Sequence, residues 1–205
     1  MKSRNIKNVV FDVGNVIVRW SPQEIIRLTF GEVESSEPLV KSVFQSETWL
    51  NLNKGFITEA QAKSQYQIDL GFSELDCERL FYYVKQTQLL IFGSVELLKR
   101  VKAAGYNVYA LTDNVHEIVA HLKLTYTFWP LFDSATVSAD LGLLKPQMEI
   151  YQALLIQNKI EASETVFIDD MPYNVQGAEA AGIAAIQFES SAQCEQSLKA
   201  LGLSF

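Results

Sequence analysis

Three short apolar runs of this chain end abruptly in residues that can do chemistry. Asn8-Val9-Val10-Phe11 runs into Asp12, Val108-Tyr109-Ala110-Leu111 into Thr112-Asp113-Asn114, and Thr165-Val166-Phe167-Ile168 into Asp169-Asp170. Lys145-Pro146 stands between the second and third. Carboxylates gathered on an apolar scaffold need compensating charge, and a divalent cation that takes hard oxygen ligands and several waters, Mg²⁺, supplies it. Lys145 would pair with Asp12 and with an incoming anion. Thr112 offers a hydroxyl, and the amides of a following helix N-terminus offer more donors. A carboxylate nucleophile, a metal, a lysine and such donors make a phosphoryl-transfer site, where positioning and charge neutralisation dominate. Attack by Asp12 would give an aspartyl-phosphate, which water then hydrolyses. Each piece alone has a plain structural reading: Asp-Asp is a common turn, Thr-Asp-Asn a good helix start. Only the ordered set at strand ends carries the chemistry.

The elements that must position these residues are legible as an alternation. The three runs, joined by Gly182–Ile186 and the weaker Ser134–Ser138, are short, β-branched and apolar on both faces, as buried parallel strands are. Helical periodicity fills the intervals at Val95–Ala104, Pro146–Ile156, Tyr173–Ala181 and Gln193–Leu201, with Gly105, Gly182 and Gly202 after three of them. Strand–helix alternation implies an α/β, doubly wound parallel sheet, whose ligands bind beyond the carboxyl ends of its strands. Residues 21–87 break the rhythm. Helical patterns near Pro22–Phe30, Glu37–Gln45, Thr58–Ile68 and Ser73–Val84 lie there without a clear strand, and Thr58 with Gln61 has the spacing of a capping box. The expected organisation is a core of residues 1–20 and 88–205 with an inserted helical subdomain, 21–87.

In this order the segments Phe11-Asp12-Val13-Gly14-Asn15-Val16, Leu111-Thr112-Asp113-Asn114, Lys145-Pro146 and Ile168-Asp169-Asp170-Met171-Pro172-Tyr173-Asn174 resemble the four motifs of the haloacid dehalogenase superfamily of hydrolases. Gly177-Ala178 and Ala181-Gly182-Ile183 fit that family's last helix and strand. The likeness spans nearly the whole chain and implies a Rossmann-like core with a type-1 helical cap. Asp-x-Gly-Asn-Val followed by Arg19-Trp20 is similar to a bacterial branch of sugar-phosphate phosphatases, that of alpha-glucose-1-phosphate phosphatase. The resemblance implies Asp12 as nucleophile and Mg²⁺ ligand, the Gly14 carbonyl as a second ligand, and Asp170 as a direct ligand, with Asp169 direct or through water. It implies Thr112, the Asp113 backbone, Asn15 and Lys145 as phosphate contacts, with Lys145 also offsetting charge during catalysis, and Asn174 as support for the acidic loop. The substrate would be a small phosphate ester, with a sugar phosphate favoured.

One position departs from the pattern. Most phosphatases of the superfamily carry a second Asp two residues after the nucleophile as general acid and base, and here that residue is Gly14. General acid catalysis typically contributes 10²–10⁴-fold, so weaker activity, a bias toward good leaving groups or a proton donor from elsewhere is expected. Two other readings stand beside the phosphatase. A dehalogenase would use the same Asp against carbon, usually without Mg²⁺ or the paired acids, and the Gly14 departure would also suit a catalytically weak phosphometabolite-binding protein. Trp20 at the hinge, and Trp49, Asn53 and Lys54 in the insertion, are candidate substrate contacts. The remaining aromatics are expected to pack the insertion's own helices.

Composition narrows the field. With 17 Lys and Arg against 24 Asp and Glu the chain carries a net charge of −7, opposite in sign to a phosphate-tracking nucleic-acid binder. Cys77 and Cys194 form no Cys-x-x-Cys pair, so thiol-based zinc or redox motifs are absent. His116 and His121 are five positions apart, a poor spacing for two ligands on one helix face. The basic start Met1-Lys2-Ser3-Arg4 precedes an apolar run too short for a signal peptide, and no apolar stretch has transmembrane length. A cytoplasmic protein with no nucleic-acid or membrane partner is expected. Nothing in the sequence speaks to oligomeric state.

Overall fold

The computed structural model describes residues 5–31 and 35–205; the basic stretch 1–4 and residues 32–34 of the insertion lie outside the described residues. Five strands, β1 (Asn8–Phe11), β2 (Asn107–Thr112), β3 (Ser134–Val137), β4 (Thr165–Asp169) and β5 (Ala184–Gln187), form one sheet in the order β3-β2-β1-β4-β5. Every neighbouring pair is parallel, with Phe11 level with Ala110 on one side and Ile168 on the other. The order reverses at β1, so the crevice of a doubly wound sheet opens beyond Phe11, where Asp12 follows.

Side chains alternate between the two faces as the strand period requires. Val9, Phe11, Val108, Ala110, Val166 and Ile168 join one core cluster, while Val10, Tyr109, Leu111 and Phe167 join the other. Both faces are therefore covered, which is why these strands read as unbroken apolar runs rather than alternating ones.

Between β1 and β2 come α1 (Pro22–Phe30), α2 (Glu37–Phe44), α3 (Glu47–Asn53), α4 (Glu59–Leu70), α5 (Glu74–Gln86) and α6 (Ser94–Ala103). Pro22 opens α1, where its missing N–H is one of the helix's orphan donors anyway. The Thr58–Gln61 capping box forms at the start of α4, and a second, Ser73 with Asp76, starts α5. The first five helices share a continuous apolar cluster with the sheet, through Val16, Ile17, Ile25, Leu52 and Leu80. The remaining helices are α7 (His116–Thr125), α8 (Ser138–Leu141), α9 (Met148–Asn158), α10 (Pro172–Ala180) and α11 (Ser191–Ala200). Leu97, Leu98 and Leu198 of α6 and α11 pack on one face of the sheet, and Ile150, Leu154 and Ala178 of α9 and α10 on the other.

Two expectations about the helices change. Helix α9 begins at Met148 rather than Pro146, because Leu144–Gln147 forms a turn in which the Gln147 amide donates to the Leu144 carbonyl at 2.9 Å. Helix α3 has seven residues, too few to show a period, and was not expected, and α7 starts not at Thr112-Asp113-Asn114 but at His116, after an irregular Asp113–Val115 loop.

Candidate active site

The three strand ends converge. Carboxylate oxygens of Asp12, Asp169 and Asp170 lie within 4.8 Å of one another. Lys145, from the loop before α9, donates to Asp12 Oδ1 at 2.9 Å and to Asp169 Oδ2 at 2.7 Å. Asp113 fixes that loop: its carboxylate accepts the Lys145 amide at 3.1 and 3.2 Å. Lys145 is 7% exposed and Asp169 wholly buried. Such an ion pair is held together only because each member is paired.

The carboxylates are not equivalent. Asp169 Oδ1 accepts the Met171 amide at 2.8 Å and Asn174 Nδ2 at 3.0 Å, and Oδ2 accepts Lys145 and again Asn174, at 3.1 Å. Its lone pairs are thus filled by protein donors, Asn174 among them. Asp12 Oδ1 accepts the Val13 amide at 2.7 Å and Lys145, while no described donor reaches Oδ2. Asp170 Oδ2 accepts Asn15 Nδ2 at 3.1 Å, and Oδ1 likewise has no described donor. Burial pushes Asp12 up to about 8, with Lys145 pulling down and Asp169 pushing further up. Burial raises Asp113 and Asp170 as well. Lys145 is raised above its ordinary value too, which for an ammonium favours the charged form, since the surrounding carboxylates outweigh the cost of burying its charge. Four acids with one lysine leave a deficit of positive charge.

A cavity of about 470 Å³ opens over this cluster, lined on the core side by Asp12, Gly14, Asp113, Lys145, Asp170 and Tyr173. The turn beyond Asp12 is closed by the Asn15 amide donating to the Val18 carbonyl at 2.7 Å and the Ile17 and Val18 amides donating to the Val13 carbonyl. These bonds do not use the Gly14 carbonyl. Asn15, at φ 50°, takes the left-handed conformation. Its side chain spans two parts of the site: Nδ2 donates to Asp170, and Oδ1 accepts the Trp20 amide at 2.8 Å. Expected as a phosphate contact, Asn15 lines the cavity and also holds these two neighbours.

Other expected contacts divide. Trp20, Trp49 and Asn53 line the cavity from the insertion and its junction. Lys54 does not. One step along α3 from Asn53 turns it about 100° away, and its ammonium lies 5.8 Å from the Phe56 ring centre. Thr112 is 1% exposed at the last position of β2, and it is Asp113 and Asn114 after it that reach the wall. The Asn114 amide is already committed, donating to Ser138 Oγ at 2.8 Å. Ser138 was missed as a site residue. Its hydroxyl also donates to the Asn53 carbonyl at 2.6 Å, joining insertion to core. Its place just beyond β3, at the functional end of the sheet, was the available signal.

A family profile described as a haloacid dehalogenase-like hydrolase matches residues 6–182. Among curated proteins the chain is 27% identical over 197 residues to a sesquiterpene phosphatase of Aspergillus oryzae, covering 96% of this chain and 97% of that one. It is 29% identical over 206 residues to the D-ribitol-5-phosphate phosphatase of Bacteroides thetaiotaomicron, covering 94% and 97%. A solved Bacteroides thetaiotaomicron enzyme of the same family, in complex with magnesium and inorganic phosphate, superposes with a TM-score of 0.77 at 22% identity over 90% of this chain and 95% of that one. With the profile covering most of the chain, and the sheet order and strand-end residues in agreement, the protein belongs to the haloacid dehalogenase-like hydrolases.

Proposed function

We propose that the protein is a Mg²⁺-dependent phosphatase that hydrolyses a small phosphomonoester through an aspartyl-phosphate on Asp12. The observation that carries this reading is the asymmetry of the Asp12 carboxylate: Oδ1 is held by Val13 and Lys145, and Oδ2 is left without a described donor in a residue that lines the cavity. The donor set fits a hard divalent cation. Asp12, Asp170 and the Gly14 carbonyl offer oxygens that the protein does not already use, and the cluster lacks positive charge. When bound, Mg²⁺ would neutralise charge on the phosphoryl oxygens and keep Asp12 ionised.

Asp12 Oδ2 would attack phosphorus as the bond from phosphorus to the ester oxygen breaks, releasing an alcohol that takes up a proton. Water would then cleave the acyl phosphate, freeing phosphate and restoring the carboxylate. Lys145 holds Asp12 in place and sets a cation beside the transferring group, with the Asp113 amide as a further phosphoryl donor. No side chain stands at Gly14 to protonate the alcohol, so reactive esters should be favoured. The names of the two curated relatives agree with phosphatase chemistry while differing in the alcohol. Residues 1–20 and 88–205 act in this reading as the catalytic core, and 21–87 as the cap that selects the substrate.

Phosphate release from acetyl phosphate tests the reading. Asp12→Asn should abolish turnover by 10³-fold or more with the fold intact by circular dichroism, and EDTA should silence the wild type until Mg²⁺ is restored. An active Asp12→Asn variant sinks the mechanism. Haloacid hydrolysis that survives EDTA would favour the dehalogenase instead.

A further inference from the structure

The cavity has two ends of opposite chemistry. Its charged lining residues, Asp12, Asp113, Lys145 and Asp170, all come from the core. Across from them the insertion contributes an aromatic and aliphatic wall. Trp20 and Trp49 lie nearly parallel, with ring centres 5.6 Å apart and an angle of 16°. Phe44 meets both edge-on, at 5.3 and 5.0 Å. Val40 and Leu50 extend the wall, and Leu144 and Met171 continue it from the core. The insertion places no Asp, Glu, Lys, Arg or His among the cavity's described lining residues.

The amides on this side are partly used. Asn53 Nδ2 donates to the Trp49 carbonyl at 2.9 Å and Gln88 Nε2, at the junction, to the Val84 carbonyl at 3.1 Å, which leaves Gln45 as the insertion's one lining amide with no described side-chain hydrogen bond. A sugar bound here would surrender the hydration of several hydroxyls against a wall that returns few partners, at roughly tenfold in affinity for each one unmatched. A second phosphate or a carboxylate on the leaving group would fare worse, since Lys145, the one cation among the described lining residues, already serves Asp12 and Asp169. A hydrocarbon group gains by the same burial.

We infer that the substrate is the monophosphate of a hydrocarbon alcohol, so that the chain dephosphorylates amphiphilic monoesters rather than phosphorylated sugars, sugar acids or nucleotides. This rests on the phosphatase reading and fixes the leaving group, which that reading left open. Asn15 ties the two ends together. Its carbonyl holds the Trp20 backbone and its amide holds Asp170, so the apolar wall keeps a set distance from the phosphoryl site.

The test is a homologous series of n-alkyl monophosphates from ethyl to octyl, assayed with Mg²⁺ beside glucose 1-phosphate, glucose 6-phosphate and acetyl phosphate. Alcohol reactivity barely changes along such a series, so its slope reports binding of the chain. The expected result is a rise in kcat/KM of about fourfold per methylene until the cavity fills, with both sugar phosphates slower than the butyl ester. In Leu50→Asn, a change at a side chain already 43% exposed, the hexyl-to-ethyl ratio should fall by roughly tenfold. A flat series, faster sugar phosphates, or an unchanged ratio in folded Leu50→Asn each overturns the inference. If acetyl phosphate is hydrolysed in an Asp12-dependent way in those cases, the phosphatase reading stands. If it is not hydrolysed at all, that reading falls first.

Discussion

Lys145 is the residue on which the site's electrostatics turn. Its ammonium is shared by Asp12 and Asp169, its backbone amide is held by Asp113, and its side chain is 2% exposed. Replacing it with Met keeps the volume and removes the charge, leaving buried carboxylates without their partner. Breaking a buried pair in this way typically costs about 3–5 kcal/mol. Lys145→Met should therefore lower the urea midpoint by that equivalent and remove phosphatase activity. A variant of wild-type stability would show that the carboxylates are not held by this cation. Much of the chemistry at this scale was legible, since each group follows an apolar run that could only be a strand. What escaped was allegiance. Sequence does not say that Asp169 is filled by Asn174 and Met171, or that Asn15 serves Asp170 and Trp20, because those partners are set by turns of one or two residues.

Among the elements, α3 and α8 join insertion to core. Gly55 follows α3 at φ +69°, and a Cβ there would stand 2.2 Å from the Ala139 carbonyl oxygen. Gly71 has a nearly identical φ of +68° with open space around it. Both positions penalise a side chain by the left-handed conformation, about 1–3 kcal/mol, and only Gly55 adds a backbone collision. Gly55→Ala should thus destabilise more than Gly71→Ala in denaturant titrations and should also lower kcat/KM, which Gly71→Ala should not. Equal effects would mean the junction yields without cost. The insertion's existence was legible from the missing strand, and its α4 from the Thr58–Gln61 pair. The placing of Lys54 was not, because α3 is too short to declare which face it turns inward.

For the whole molecule, strand order was the unreadable quantity. Alternation announced a doubly wound sheet, while the placing of β1 between β2 and β4 depends on which crossovers pack, and no single residue encodes that. Acid stability also belongs to this scale, since surface ties join distant segments. Glu195 of α11 accepts both guanidinium nitrogens of Arg100 of α6, at 2.8 and 2.6 Å, and Lys199 at 2.7 Å. Arg100 and then Lys199 hold its carboxyl down at about 2. A carboxyl depressed in the folded state stabilises above its unfolded value of 4.5 and loses that contribution as pH falls toward 2. Thermal melts from pH 5 to 2 should therefore fall less steeply in Glu195→Gln than in wild type. The exposed position and added salt both keep the difference small; parallel curves at low salt would refute the coupling.

The Ser138 hydroxyl has a consequence for traffic through the cavity. It grips the Asn53 carbonyl on one side and receives the Asn114 amide on the other, so it is a bolt shared by door and frame. Parting the insertion from the sheet breaks the Ser138–Asn53 bond and leaves a buried carbonyl without its donor, while the Asn114 amide keeps Ser138. Any opening of the insertion over the cavity therefore carries the cost of that unmade bond, about 1–3 kcal/mol.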